Sequence, residues 1–217
     1  MNDPHNNAET MANIRYGAAR SRRLLIEAIR ALGDFKKAIT VIGAHAVHAW
    51  VEDAWGRIEM EATRDSDISI HPTFVTEDPK IVDVLRGIGV VPAHKDRPGI
   101  YGLVAEGNLP WKARTTIDLL VPEAYAGAGR RAARIPGQWN SVSRAKGLEL
   151  TIWDRHLLVL ETVDEPKEVI ETNIAGPAAL LVAKAHKVHE RLEQVTRYPE
   201  RLRPKDSGDI ALLMMVS

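Results

Sequence analysis

The chain has 217 residues, 45% hydrophobic and 27% charged, with Lys plus Arg at 29 and Asp plus Glu at 29. That length suits one large domain or two small ones, and a core of useful size can be buried. Zero formal net charge gives no bulk attraction to nucleic acid, so such a partner must be met by local clustering. The lack of cysteine excludes disulfides and thiolate metal sites. No apolar run reaches the ~18 residues of a membrane span, and Met1 to Thr10 lacks the basic-then-apolar order of a signal peptide. A cytoplasmic protein is expected.

In chain order, residues 1–12 read as a flexible start, because Asn, Asp, Pro and His dominate. Leu24, Leu25, Ala28, Ile29 and Leu32 recur at helical spacing and predict a helix over 13–33, stopped by Gly33. Ala38 to Ile42 is a short β-rich run ending at Gly43, and His45 to Trp55 reads as a second helix. Ser66 to Ile70 alternates as a half-buried strand does. Asp78-Pro79 predicts a helix start, with Asp78 as N-cap, and the helix ends near Gly87. Two strands are expected over Tyr101–Glu106 and Arg114–Val121. Residues 122–147 show no period. Leu148–Ile152 reads as a strand, and one more strand is expected within 157–174. A long helix from Gly176-Pro177 to about Val195 and a last helix from about Ser207 complete the chain. The expected organisation is a flexible start, a core over 13–175 and a small helical region over 176–217.

The string Thr63-Arg64-Asp65-Ser66-Asp67 carries the first chemistry. On a strand, Asp65 and Asp67 share one face. Adjacent carboxylates repel, and a hard cation such as Mg²⁺ relieves that by binding one or two carboxylates plus phosphate oxygens and water. An exposed strand edge also tolerates such a pair. The upstream turn Gly43-Ala44, made of small residues before a helix, lets a triphosphate approach backbone N–H groups, although a tight turn alone has the same composition. Asp118 is a lone carboxylate in the apolar run Ile117 to Val121. It either pairs with a cation such as Arg114 or lies beside Asp65 and Asp67, where three carboxylates suit phosphoryl-type transfer. His45, His48, His71, His94, His156, His186 and His189 show no ligand spacing, so no zinc is expected.

In the helix over 177–195, Leu181, Ala185, Val188, Leu192 and Val195 form an apolar seam. Lys184, Lys187 and Arg191 flank it; Lys187 reads as a solvated flank, whereas Lys184 can snorkel toward a cleft. In Arg203-Pro204-Lys205-Asp206-Ser207-Gly208-Asp209, Asp206 also reads as an N-cap and Asp209 as a first-turn acid.

The strand, Gly43-Ala44, helix, Thr63-x-Asp65-x-Asp67 and Ile117-Asp118-Leu119-Leu120 together resemble the DNA polymerase beta-like nucleotidyltransferase superfamily. Adding Ala179-Leu180-Leu181-x-x-Lys184, Arg191 and Arg203-x-Lys205-Asp206-x-x-Asp209, the chain resembles the AbiEii-type, MenT-like nucleotidyltransferase toxins over roughly 38–213. The resemblance implies an α+β nucleotidyltransferase fold, a mixed β-sheet flanked by helices and followed by a small C-terminal helical region. It implies that Asp65, Asp67 and Asp118 hold Mg²⁺ or Mn²⁺. Gly43, Ala44, Thr63 and Lys184 would receive the nucleoside triphosphate, and Asp65, Asp67, Lys184 and Asp206 would act in catalysis. The turn departs from the family in carrying Ala44 for Ser or Gly, and Glu61 stands where many relatives carry Arg. The short stretch after the last motif suggests a compact member.

The implied activity is that of a toxin in a toxin–antitoxin pair, which moves a nucleotide from an NTP to an RNA end, with the tRNA 3′ end as the expected acceptor, and stops translation. The basic residues Arg130, Arg131, Arg134, Arg144 and Lys146 are candidates for RNA backbone contact, or a solvated loop, and Trp139 for stacking on a base or loop packing. Phosphorylation of Thr63 would add ~1.5–2 negative charges beside the carboxylates, which suggests a kinase-type antitoxin. The alternatives are a small-molecule, aminoglycoside-type nucleotidyltransferase and an inactive partner-binding homologue.

Overall fold

The computed structural model describes residues 4–56 and 63–217. Helix α1 (Pro4–Ala31) begins before residue 13, the expected first helical residue. Pro4 suits a first helical position, and a packed helix propagates backward more cheaply than it nucleates. Strand β1 (Ile39–Ile42) leads directly into α2 (Gly43–Trp55). Strand β2 (Asp65–Ile70) is more buried than expected, with Ile68, Ser69 and Ile70 all enclosed because it lies inside the sheet. Helix α3 (Ile81–Gly87) and strands β3 (Val90–Pro92), β4 (Ile100–Leu103) and β5 (Thr116–Pro122) follow. The strand expected through Glu106 stops at Leu103. A 3-10 turn, Val104–Glu106, then buries the Glu106 carboxylate against the Thr115 hydroxyl at 3.1 Å and Arg20 at 3.0 Å.

Strand β6 (Ser143–Ala145) lies in the stretch that shows no period. The strand expected over Leu148–Ile152 is a 3-10 helix, Glu149–Ile152, whose Thr151 hydroxyl meets Ser69 Oγ at 2.8 Å. The single strand expected within 157–174 is a hairpin of β7 (Arg155–Glu161) and β8 (Val169–Ala175). Helices α4 (Pro177–Glu193) and α5 (Pro204–Val216) end the chain. Helix α5 starts at Pro204, not Ser207, since proline suits the first turn.

Among the described residues, eight strands form one open, mixed sheet in the order β3-β4-β5-β2-β1-β8-β7, with β6 also on β5. The fold is α+β. Strand β2 runs antiparallel to β1 and parallel to β5. Helix α1 lies on the face of β2 that carries Ser66, Ile68 and Ile70, because Ser21 Oγ meets Ser66 Oγ at 3.0 Å. Leu24, Leu25, Ala28, Ile29 and Leu32 are buried there with Val41, Ile68, Ile117 and Leu119. Arg23 ties α1 to the β7–β8 turn through Asp164 at 2.9 Å and Glu168 at 2.8 Å. Among the described residues, no helix is long and apolar enough to cross a membrane.

Helix α3 does not begin at Asp78. Its first N–H, on Ile81, donates to Gln138 Oε1 at 2.9 Å, and Gln138 Nε2 donates to the carbonyls of Thr76 and Pro79, both at 2.9 Å. A remote side chain therefore does the capping that a local aspartate was expected to do. Gln138 is buried, so Gln138→Ala leaves these backbone groups without partners and should cost about 2–3 kcal/mol. Urea unfolding measures this, and a cost below ~0.5 kcal/mol would show that water replaces the amide.

Candidate functional site

The parallel pairing of β2 with β5 builds the site. It sets Asp67 opposite Asp118 and Asp65 opposite Thr116. Opposed residues in a sheet share a face, so Asp65, Asp67 and Asp118 project together, away from the α1 side. Thr116 Oγ1 donates to Asp65 Oδ1 at 3.0 Å. Among the described residues, Asp118 Oδ1 is buried with no hydrogen-bond partner. Arg114, the cation that would have made Asp118 an ordinary ion pair, is turned away: its Nε donates to the Leu109 carbonyl at 2.8 Å.

Gly43 opens α2 with φ of +69°, a conformation that side chains resist. A Cβ there would lie 2.2 Å from Asp67 Oδ2. The carboxylate therefore rests on the bare backbone of the β1–α2 turn, at the positive end of a 13-residue helix. Ala44 is the next residue of that turn and is half-buried. Thr63 sits at the approach to β2, where its hydroxyl donates to the Asp65 carbonyl at 3.1 Å. Glu61 lies outside the described residues.

Burial, then the negative charges of Asp67 and Asp65, push the Asp118 pKa up to about 8, while Lys187 opposes the shift. Asp67 is raised as well, first by burial; Lys187, Lys184 and Lys205 pull it down and Asp65 pushes it up. Lys187, read from the sequence as a solvated flank, is thus the cation with the strongest pull on Asp67. His48 is lowered to about 3 by burial and then by Arg22, Lys205 and Lys184, so it is neutral at pH 7.

The buried face of α4 is not the apolar seam. Ala185 and Leu192 are exposed, whereas Leu180 and Lys184 are buried. Polar pairing with α5 accounts for this. Lys184 bonds to Asp209, Arg191 bonds to Asp206, and Lys187 lies 3.9 Å from Asp206. Asp206 is an ion-pair partner inside the first turn of α5, and Arg203 occupies the N-cap position. The start of α4 is held by Asp154, whose Oδ2 accepts from Ala179 N–H at 2.8 Å. Position 176 must be glycine there, because a Cβ would lie 1.9 Å from Asp154 Oδ1.

Among the described residues, no three His, Asp or Glu side chains form a ready-made metal cage. Mg²⁺ does not need one, since it binds through one or two carboxylates with phosphate and water. The orphaned Asp118 oxygen, the crowding by Asp67 and the all-oxygen donor set fit Mg²⁺ or Mn²⁺.

Beyond β5 lies a groove of about 660 Å³ lined by Arg97, Arg130, Arg131, Arg144 and Arg201 with Tyr198, and with no acidic residue. Ile100, also in its wall, stands opposite Asp118 in the β4–β5 pairing, so groove and carboxylates are neighbours. Three of these arginines were expected to cluster; Arg97 and Arg201 join them only through folding, while Arg134 and Lys146 lie outside the lining. Arg144 braces the loop by donating to the carbonyls of Gly127 and Gly129. Trp139, 74% exposed, lines an adjoining cavity that shares Arg131 and Pro98.

No family model, characterised protein or solved structure matches the chain.

The raised Asp118 makes a stability prediction. An unfolded aspartate titrates near ~3.9, so the folded chain keeps a proton that the unfolded chain has lost, up to about pH 8. Folding therefore weakens as pH rises through that window. Asp118→Asn removes this dependence. Without metal at pH 8 the variant should melt at least ~2 °C above wild type, the shift that ~1 kcal/mol produces in a chain of this size; at pH 4 the two should agree. Wild type should gain stability from added Mg²⁺ and the variant should gain less. Scanning calorimetry reads both, and a lower Tm for the variant at pH 8 would mean that Asp118 is well solvated.

Proposed function

We propose that the chain is a nucleotidyltransferase of the AbiEii, MenT-like type, built on that superfamily's version of the α+β fold and acting as a toxin on an RNA acceptor such as the tRNA 3′ end. The observation that carries the reading is the orphaned, crowded Asp118 beside Asp67, at a turn stripped of side chain by Gly43. Clustered, partly buried carboxylates cost stability, and divalent metal with a triphosphate is the ligand that removes that cost.

In the proposed reaction an acceptor hydroxyl oxygen bonds to the α-phosphorus of the NTP. The bond from that phosphorus to the bridging oxygen of the β-phosphate breaks, and pyrophosphate leaves with the electron pair. The hydroxyl proton passes to Asp118 in its ionised form, which a bound cation would favour at neutral pH against the raised pKa. Bound Mg²⁺ would supply charge neutralisation on the phosphates, held by Asp65, Asp67 and Asp118. The Gly43-Ala44 turn offers backbone N–H groups to the triphosphate, with Thr63 at its mouth. Lys187 and Lys184 add positive charge, Lys184 from its pair with Asp209. Asp206 acts here as a positioning residue that fixes Arg191 and Lys187. The arginine groove favours a polyanionic acceptor over a small neutral or cationic one.

Incubation with Mg²⁺, each labelled NTP in turn and total tRNA tests the reading. Labelled RNA is expected, and Asp65→Ala should reduce it by at least ~10³-fold. Label on a small acceptor alone supports the aminoglycoside-type alternative; no label on any acceptor supports a partner-binding homologue. In the same assay Thr63→Glu should lower transfer strongly if a kinase-type antitoxin acts through this residue, and unchanged transfer would remove that partner from the proposal.

A further inference from the structure

Strand β7 ends the sheet order, and among the described residues no strand pairs with its outer side. Its sequence is Arg-His-Leu-Leu-Val-Leu-Glu. Exposed edges of this length invite pairing, and proteins usually blunt them with proline, a bulge or a central charge. Strand β7 carries none of these. Leu157 and Val159 are 62% and 60% exposed on it, and Val169, opposite Glu161 on β8, is 60% exposed.

The hydrogen bonds of the hairpin fix which backbone groups of β7 point away from β8. Thr162 N–H donates to Glu168 and Gly176 N–H to Asp154, so the even-numbered residues of β7 face β8. Arg155, Leu157, Val159 and Glu161 therefore direct their N–H and C=O groups outward. An antiparallel partner copy must match outward residues with outward residues. One register pairs all four: Arg155 opposite Glu161 of the other copy and Leu157 opposite its Val159, with Leu158 at the two-fold axis. The same register sets Trp153, 76% exposed, opposite Val163, 47% exposed. A shift by two residues in either direction sets a charged end against an apolar residue.

We propose that the occupant of this edge is a second copy of the chain, joined β7 to β7 in an antiparallel, two-fold dimer. The support is self-complementarity: Arg155, which donates to the Lys37 carbonyl at 3.0 Å, and Glu161, which lies 3.5 Å from Lys167, keep opposite charges at the two ends that meet across the axis, and apolar residues meet between them. The inference stands independently of the transfer reaction. The registers of β7 with β8, β8 with β1, β1 with β2 and β2 with β5 place Leu157 and Val159 on the same sheet face as Asp67 and Asp118. Both carboxylate sites of the dimer thus open on one side of the joined sheet.

Sedimentation of the full chain from low to high micromolar concentration should give a dimer. Val159→Lys should weaken association by about tenfold or more without changing the circular dichroism spectrum. Arg155→Glu and Glu161→Arg should each weaken it, and the double variant should recover it, because each charge meets its opposite again across the axis. The chain has no cysteine, so Leu158→Cys introduces a single thiol at the axis, where mild oxidation should yield a disulfide-linked dimer. The same oxidation of Val169→Cys, one strand away from the junction, should not. A monomer at every concentration overturns the proposal and leaves the edge to a strand of another protein. A dimer that survives Val159→Lys, or that Leu158→Cys fails to link, overturns it as well.

Discussion

Three carboxylates on one face of a parallel strand pair are the constraint on which the rest of the structure depends. Asp67 and Asp118 are opposed residues in neighbouring strands, and Asp65 lies one pleat away. Like charges so placed destabilise a sheet, and the fold answers with cations from distant elements. Lys187 and Lys184 come from α4 and Lys205 from α5, and all three act on Asp67. Those cations are themselves steadied: Asp209 holds Lys184, and Asp206 holds Arg191 with Lys187 nearby. This explains why α4 turns Leu180 and Lys184 inward and leaves Leu192 half exposed. Electrostatic need at the sheet outweighs the apolar preference of one helical stripe. Asp118 keeps an unpartnered oxygen despite this arrangement, and its crowding by Asp67 and Asp65 is relieved by a retained proton or by a further cation.

The features legible in the sequence were those set by short-range pattern. Ser66 to Ile70 alternates and is a strand; Leu24 to Leu32 repeats at helical spacing and buries that face; Gly176-Pro177 opens a helix. The pairing of Asp65 and Asp67 on one face follows from strand geometry alone. What escaped was set by long-range partners. Gln138 caps a helix 57 residues upstream, so Asp78 lost a role that its local context favours. Thr151 bonds to Ser69 across 82 residues, and Leu148–Ile152 coils where its composition suggests a strand. Lys187 is the solvated flank that its spacing predicts, 52% exposed, and what the spacing does not show is its pull on Asp67, more than a hundred residues away along the chain. The hairpin of β7 and β8 turns at Asp164-Glu165-Pro166-Lys167-Glu168, a charged, proline-containing break that the expectation of one strand within 157–174 passes over.

The zero net charge conceals two strongly unequal regions. One side of β5 gathers acid, and the groove on its other side, walled by β4 and β6, gathers five arginines with no acid in its lining. Ile100, paired with Asp118, marks the seam between them. Charges of one sign held in a concave surface repel each other and focus the field outward. Neither region is satisfied by the other, since Arg114, the nearest basic residue in sequence to Asp118, spends its guanidinium on the carbonyls of Leu109 and Gly107. In the proposed reaction this division gives each reactant its own approach. The triphosphate would meet the helix end, the lysines and the carboxylates proposed to hold metal on the α2 and α4 side. The acceptor backbone meets the arginines on the β4 and β6 side. Asp118 stands where the two approaches converge, so an acceptor hydroxyl and an α-phosphate brought together there would lie within reach of its carboxylate.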